Sequence, residues 1–421
     1  MMSMVILVTT ALLALLGVPL FAVMGLSASA NHYFADIDPQ AVFIMFYQLA
    51  DQPLLAALPL FAFTGYLLAG SSAPARLVRL ANACLGWLPG GLAVVAIVAL
   101  SLLTAFTGAS GVAILALGGI LYPAMRAAGY PERFALGIIT AGGALGVLFI
   151  PSLPIILYGV VSETSIDALF RAGIVPGLLV IGLLAAIVIA RGIYQRLPRQ
   201  AFTWRELAGA TWGAKWELPL PILVIGGIYG GWLAISEAAV VSAAYAMLVE
   251  AFIHRDIPWR RLGPIARRSA ILTASILMIL GMAMAVTSFM IDTEVPTRFF
   301  EFARQYMTSR IAFLIALNLF LLFVGCMMDI FAATVLIVPL ILPIARQYGI
   351  DPVHLGILFL ANLGIGYVTP PVGMNLFIAS LRFRRPILTI AWATLPFLLV
   401  LLIALAMITW WPGLSLAIHP R

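Results

Sequence analysis

The sequence predicts an all-α polytopic membrane protein with inverted repeats, each repeat carrying a re-entrant helical hairpin and a broken transmembrane helix. Three observations carry this expectation. Of 421 residues, 63% are hydrophobic and only 9% are charged, with a mean hydropathy of +1.12. Several uncharged runs are as long as a membrane span or longer. Prolines and glycines recur in matching places across the two halves. Soluble domains are about 25% charged and under about half apolar, so a soluble globule is excluded. At about 20 residues per span, the length allows about ten to fourteen membrane elements.

The apolar blocks give the elements in order. Met4 to Leu26 reads as a retained first span, because no basic residue precedes it and it is too long for a signal core. Pro53 to Gly70 is near one span in length, with an ambiguous apolar piece at Ala41 to Ala50 before it. Leu80 to Met125 holds no charge. As one helix it would run about 69 Å, more than twice the hydrocarbon thickness, so it must fold back. Thr107-Gly108-Ala109-Ser110-Gly111 is the polar tip at its middle, between arms of about fifteen residues. Phe134 to Val161 follows, interrupted by Ile150-Pro151-Ser152-Leu153-Pro154. Proline removes a backbone donor and clashes with the preceding turn, so this span should break.

Ala172 to Ala190, Leu218 to Ser236 and Ala270 to Ile291 read as conventional spans, and Ala238 to Val249 as a short one. The hairpin design then repeats. Ile311 to Ala345 carries Gly325-Cys326-Met327-Met328-Asp329 at its middle, and Val353 to Leu381 is interrupted by Thr369-Pro370-Pro371-Val372-Gly373. Ile387 to Trp411 is the last span. Tyr122 to Gly129 lies over Leu342 to Gly349, Gly137 over Gly356, and Pro151 over Pro370, which marks two related halves.

Orientation follows from charge. Arg191, Arg196, Arg199, Arg205 and Lys215 crowd one connection, and Arg255, Arg260, Arg261, Arg267 and Arg268 crowd another. Both belong in the cytoplasm, and the mixed segment from Asp292 to Arg310 then faces outward. Counted from there, the first hairpin enters from the cytoplasm and the second from outside. Inverted repeats of this kind place a secondary transporter's site at the midplane. The net charge of +7 is this loop asymmetry, with no nucleic-acid footprint. Cys84 and Cys326 form no framework, and the four histidines share no ligand spacing. The chain lacks a phosphate-binding loop and any hydrolytic triad, so an enzyme is not expected.

Broken helices offer carbonyls and hydroxyls to a cation and N-termini to an anion. The first half supplies Thr107, Ser110 and Ser152; the second supplies Asp329, Thr334, Thr369 and Asn375. An oxygen-only set of this kind suits a hard cation such as sodium. Asp329 lies within a 35-residue apolar block as either a site residue or a helix cap, and Glu237 is read as a cap.

At these motifs the sequence resembles the large membrane subunit of the TRAP (tripartite ATP-independent periplasmic) transporters, the dicarboxylate permease M-subunit family. The similarity covers essentially the whole chain. Its most specific parts are Arg79 to Ala83 with Leu88-Pro89-Gly90-Gly91, Gly108 to Gly111, and Gly129 to Phe134. To these add Pro151 to Pro154 with Tyr158-Gly159, Asp351 to His354, and Gly366 to Asn375. The resemblance implies an elevator-type, sodium-coupled importer of small organic acids in the bacterial inner membrane. It implies two partners besides the lipid bilayer: a small four-helix membrane subunit and a periplasmic substrate-binding protein. Na+ would be the coupling ion, with Thr107, Ser110 and Ser152 in one sodium region and Asp329, Thr334 and Thr369 in the other. The carboxylate would lie between the tips, at Gly108, Ala109 and Gly111 and at Pro370, Gly373 and Asn375. Ala109 stands where the family often has a hydroxyl residue. The corresponding domain division is scaffold helices and an interfacial arm at 1–90, a first transport half at 91–172, and central scaffold helices at 173–310. A second transport half follows at 311–385, then a C-terminal scaffold helix at 386–421. The rival within this architecture is a stand-alone sodium and dicarboxylate symporter.

Overall fold

The computed structural model describes residues 6, 8–10, 12, 13, 16–35, 37–49, 52–197, 199–293, 301 and 309–418, and all regular structure among them is helical. Seven of these helices are long and apolar enough to cross a membrane, or nine if each of two bent pairs counts as one span. The expected outward segment at Asp292 to Arg310 and the start of the first span lie largely outside the described residues.

The N-terminal part comprises α1 (Leu20–Phe34), α2 (Gln40–Gln48), α3 (Ala57–Gly70) and α4 (Ala73–Leu85). At Ser71-Ser72 the chain turns so that α4 leaves α3 at 75°. The first hairpin is α5 (Gly91–Thr107) and α6 (Ser110–Ala127). The broken helix consists of α7 (Glu132–Gly142), a 3-10 turn at Leu145–Leu148 and α8 (Leu153–Ser162). Then come α9 (Ile166–Tyr194), α10 (Trp204–Gly213), α11 (Pro219–Tyr229), α12 (Ile235–Met247) and α13 (Trp259–Asp292). The second hairpin is α14 (Arg310–Met327) and α15 (Ile330–Gln347); its broken helix is α16 (Pro352–Gly366) and α17 (Met374–Phe383). The chain closes with α18 (Ile387–Trp410) and α19 (Pro412–Leu416). Caps set several of these starts: Ser165, Ser309 and Asp351 accept the first free amides of α9, α14 and α16.

Four lengths differ from expectation, each for a local reason. The hairpin arms have 17 or 18 residues rather than about fifteen. Arms α6, α14 and α15 lengthen by taking in the arginine at the edge of the apolar block (Arg126, Arg310 and Arg346), and Arg126 donates to the Tyr130 carbonyl at 2.6 Å. At about 27 Å they still fall short of the roughly 30 Å hydrocarbon core. The second tip is narrower than the Gly325 to Asp329 stretch, because the helix continues through Met327 and opens only at Met328-Asp329. The span expected at Leu218 to Ser236 is an eleven-residue helix stopped at Gly230-Gly231, where Gly231 takes φ +70°. The short span at Ala238 to Val249 is longer than expected. Glu237 caps it by accepting the Ala234 amide at 2.8 Å, and a π-helical segment, Leu248–Ile253, extends it.

The halves interlock. In the first, α5 packs on α6 and α7; in the second, α14 packs on α16. Across the halves, α6 lies against α17 and α15 against α8, while α7 lies against α18 and α16 against α9. Each half therefore completes its core with the equivalent helices of the other. Small residues permit the tightest crossings. A Cβ on Gly366 would lie 2.6 Å from the Gly325 backbone, where α16 meets α14. Gly366→Val should force these helices apart and lower the thermal unfolding midpoint by several degrees, a loss of about 1–3 kcal/mol; thermal unfolding followed by fluorescence checks it.

Helices α1, α2, α3 and α12 pack around α13 or one another as a second group. Its corner is an ion cluster. Arg76, on α4, meets Glu217 at 2.5 Å, Glu250 at 3.0 Å and Asp256 at 2.7 Å. Asp256 also accepts the Ser72 amide at 3.0 Å, which pins the α3–α4 turn. The π-helical extension is what carries Glu250 to Arg76.

Candidate functional site

Both tips open onto one cavity of about 370 Å³. Its walls are Gly108 to Val112 from the first tip, Asp329 to Phe331 from the second, Tyr367 and Met374 from the second break, and Leu272, Ser275, Ile276 and Ile279 from α13. The site thus sits at a seam between the interlocked halves and a helix of the other group.

The first tip is shaped by its glycines. Gly108 ends α5 at φ +65°, and a Cβ there would lie 2.6 Å from the Leu153 side chain, so the tip presses on the start of α8. A Cβ on Gly111 would collide with Ile378 of α17, which brings the same tip against the other half. Ser110 makes the polar link between halves by donating to Asn375 Oδ1 at 2.7 Å, with both residues buried. The Asn375 amide nitrogen, also buried, has no hydrogen-bond partner. Thr107 is buried and donates to the Ala109 carbonyl at 3.2 Å. Ser152 is buried and donates across the first break to the Val147 carbonyl at 2.7 Å.

The second tip is organised by a carboxylate. Asp329 is the N-cap of α15, where Oδ1 accepts the amides of Phe331 at 2.8 Å and Ala332 at 3.2 Å. The cap reading of this acid therefore describes its geometry, and its position on the cavity wall keeps the site reading in place. Thr334 donates to the Ile330 carbonyl at 2.6 Å and Thr369 to the Ile365 carbonyl at 2.9 Å, both one helical turn back. Gly373, at φ +47°, donates its amide to the Cys326 carbonyl at 3.0 Å and so fastens the second break to the second tip. Pro370 is exposed and does not line the cavity.

Of the expected residues, then, Gly108, Ala109, Ser110, Gly111 and Asp329 face the cavity. Asn375 joins them through Ser110, and Thr107, Ser152, Thr334, Thr369 and Gly373 lie in the tips and breaks that support the walls. The donors are all oxygens, the kind a hard cation needs. The hydroxyls of Thr107, Ser110, Ser152, Thr334 and Thr369 each donate their proton within the protein, which leaves oxygen lone pairs to accept, and one carboxylate adds charge. The first turn of α6, after Ala109, has no side-chain cap; Val112 and Ala113 donate to the Ala109 carbonyl, which leaves the amides of Ser110 and Gly111 for an anion.

Sequence reasoning missed two contributors. Tyr367 accepts the Ile330 amide at 2.6 Å through its hydroxyl and lines the cavity. It lies within the Gly366 to Asn375 motif, which is the available signal. The wall from α13 left no signal, since its register against the tips depends on tertiary packing alone.

Over residues 7–414 the chain matches the model of the tripartite ATP-independent periplasmic transporter, DctM component. The protein belongs to the DctM family. Among its relatives, the C4-dicarboxylate TRAP transporter large permease protein DctM of Pseudomonas aeruginosa is 34% identical over 91% of this chain and 90% of its own. The sialic acid TRAP transporter large permease protein SiaM of Vibrio cholerae is 34% identical over 87% of this chain and 86% of its own. A solved structure, that of the Alcanivorax borkumensis YdaH transporter, shares the fold with a TM-score of 0.62 at 16% identity, covering 90% of this chain and 89% of that one. This DctM-family chain is accordingly a multi-pass inner-membrane permease subunit of a TRAP transporter, a class that transports rather than catalyses.

Proposed function

We propose that this DctM-family chain imports a small organic acid, coupled to sodium and supplied by a periplasmic binding protein, together with a small four-helix membrane subunit. The observation that carries the reading is the single cavity onto which both tips open, closed between halves by the Ser110–Asn375 bond. Sodium would be held in two regions, one by Thr107, Ser110 and Ser152 and one by Asp329, Thr334 and Thr369. The substrate carboxylate would sit over the uncapped start of α6, at Gly108, Ala109 and Gly111. There the unpartnered Asn375 amide and the second break at Gly373 complete the pocket, while exposed Pro370 stands off it. A neutral-to-anionic oxygen set beside free amides holds a cation and an anion together, which is what symport requires.

An elevator movement agrees with a second cavity. It has a volume of 770 Å³ and continues the seam along α13 at Leu280, Met284, Thr287 and Ser288, opposite Val160 of α8 and Val335 and Pro339 of α15. Helices α8 and α15 are the repeat counterparts of α17 and α6, whose residues Met374, Ile378 and Val112 line the first cavity. The tips face residues 272–279, the middle of α13, and the second cavity lies along residues 280–288, nearer its C-terminal end.

Uptake into proteoliposomes holding the chain and its small subunit tests the reading, with and without a sodium gradient and a loaded binding protein. Uptake needing both supports the tripartite symporter. Uptake with sodium alone would make the chain a stand-alone symporter, and uptake indifferent to sodium would refute the coupling. In the same assay Ser110→Ala should raise the sodium concentration for half-maximal uptake about tenfold, the equivalent of one hydrogen-bond-scale contact. An unchanged sodium dependence would remove Ser110 from the site.

A further inference from the structure

We propose that α10 and the basic segment leading into it form a binding site for the headgroups of anionic phospholipids, so that the α4–α10 ledge is held in the plane of the cytoplasmic leaflet. Two apolar helices bracket α10: α9 ends at Tyr194 and α11 begins at Pro219, so the intervening chain runs along the membrane boundary. Along α10, Trp204, Ala208 and Trp212 recur at four-residue spacing and are all exposed, the two tryptophans at 76% and 71%. Ala210 and the following Ala214 are buried on the other side. A stripe of exposed tryptophan on a short in-plane helix is the composition of a membrane interface.

Charge supplies the lipid preference. Arg196, Arg199, Arg205 and Lys215 are all exposed, whereas the one acid between residues 195 and 216, Glu206, is engaged by Arg79 at 2.8 Å. Lys215 stands 3.8 Å over the Trp212 ring, which places a cation beside the apolar stripe. Asn82 donates to Gln200 at 2.8 Å, so α4 and the α10 segment move as one ledge. At the far end of α4 the Ser72–Asp256 bond brings up exposed Arg255, Arg260 and Arg261 with exposed Trp259, extending the same basic and aromatic collar.

The test is thermal unfolding of the purified permease with its small subunit, titrated with phosphatidylglycerol or phosphatidylcholine. Phosphatidylglycerol should raise the midpoint by several degrees more than phosphatidylcholine. The response should fade at 1 M salt, where the Debye length drops to about 3 Å. Arg196→Gln, Arg199→Gln, Arg205→Gln and Lys215→Gln together should remove at least half of it and leave the midpoint in phosphatidylcholine unchanged. Should that variant not fold, brominated phosphatidylglycerol gives a second reading: it should quench the unaltered protein more than Trp204→Ser/Trp212→Ser protein. Equal responses to the two lipids, a full response in the Gln variant, equal quenching of both proteins, or an equal shift with free glycerol phosphate would each overturn the proposal. The last outcome would indicate a soluble anion site, and equal quenching a protein partner seated on the tryptophan stripe.

Discussion

Arg76→Met should lower stability by about 3–5 kcal/mol, among the largest costs any single side chain here can carry. Removing one partner of a buried charge group leaves the others uncompensated, and Arg76 serves three carboxylates at once. Glu250 is fully buried and Glu217 nearly so, so water cannot take over the lost pairing. Lysine should not rescue, because a single ammonium cannot reach three directions as a guanidinium fork does. Neutralising the acids should: Arg76→Met with Glu217→Gln and Glu250→Gln recovers part of the loss if charge, rather than shape, is the cause. Thermal unfolding of the four proteins decides it, and equal midpoints for Arg76→Met and wild type would refute the argument. The cluster also predicts acid sensitivity. Burial pushes the Asp256 carboxyl up, but the Arg76 and Ser72 contacts outweigh it and hold the group below the usual carboxylate range. A depressed carboxyl contributes stability above its unfolded pKa and loses it as pH falls through the folded one. Asp256→Asn should therefore flatten the acid limb of the stability profile below about pH 4.

Gly108→Val should reduce uptake on the order of 10²-fold while the protein still inserts. Valine is disfavoured at φ +65°, and its Cβ would meet the Leu153 side chain, so the tip must move away from α8. A displacement of about 1 Å at a binding constellation is enough for such a loss. Transport by Gly108→Val at the wild-type rate would show that the tip does not form the site.

The hairpins were legible because a charge-free run longer than a bilayer can accommodate has one physical solution, and the polar tip says where it bends. The breaks were legible from Pro151 and Pro370, and the tip residues from their place at those breaks. What stayed hidden depends on distant partners. Arg76 finds its acids 141, 174 and 180 residues away, and nothing local marks them as a group. The same holds for Ser110 and Asn375, each expected in the site but not as partners, and for the Tyr367 hydroxyl, which looks like core aromatic until its hydrogen bond to Ile330 is seen. The eleven-residue α11 is shorter than its apolar run because Gly231 takes a left-handed φ of +70°, which the run's hydropathy does not reveal.

The interlocking of the halves has a consequence for biosynthesis. Ser110 and Asn375 are 265 residues apart, and at about 5–20 residues per second the ribosome needs roughly 13–53 s to deliver the second after the first. Throughout that interval α6 is without α17, so the polar tip lacks the partner that covers it in the finished fold. Lipid tolerates uncovered polar groups poorly, so the nascent first half must be shielded by the insertion machinery or held short of its final depth. A chain truncated before residue 374 should therefore be degraded rather than accumulate as a folded half.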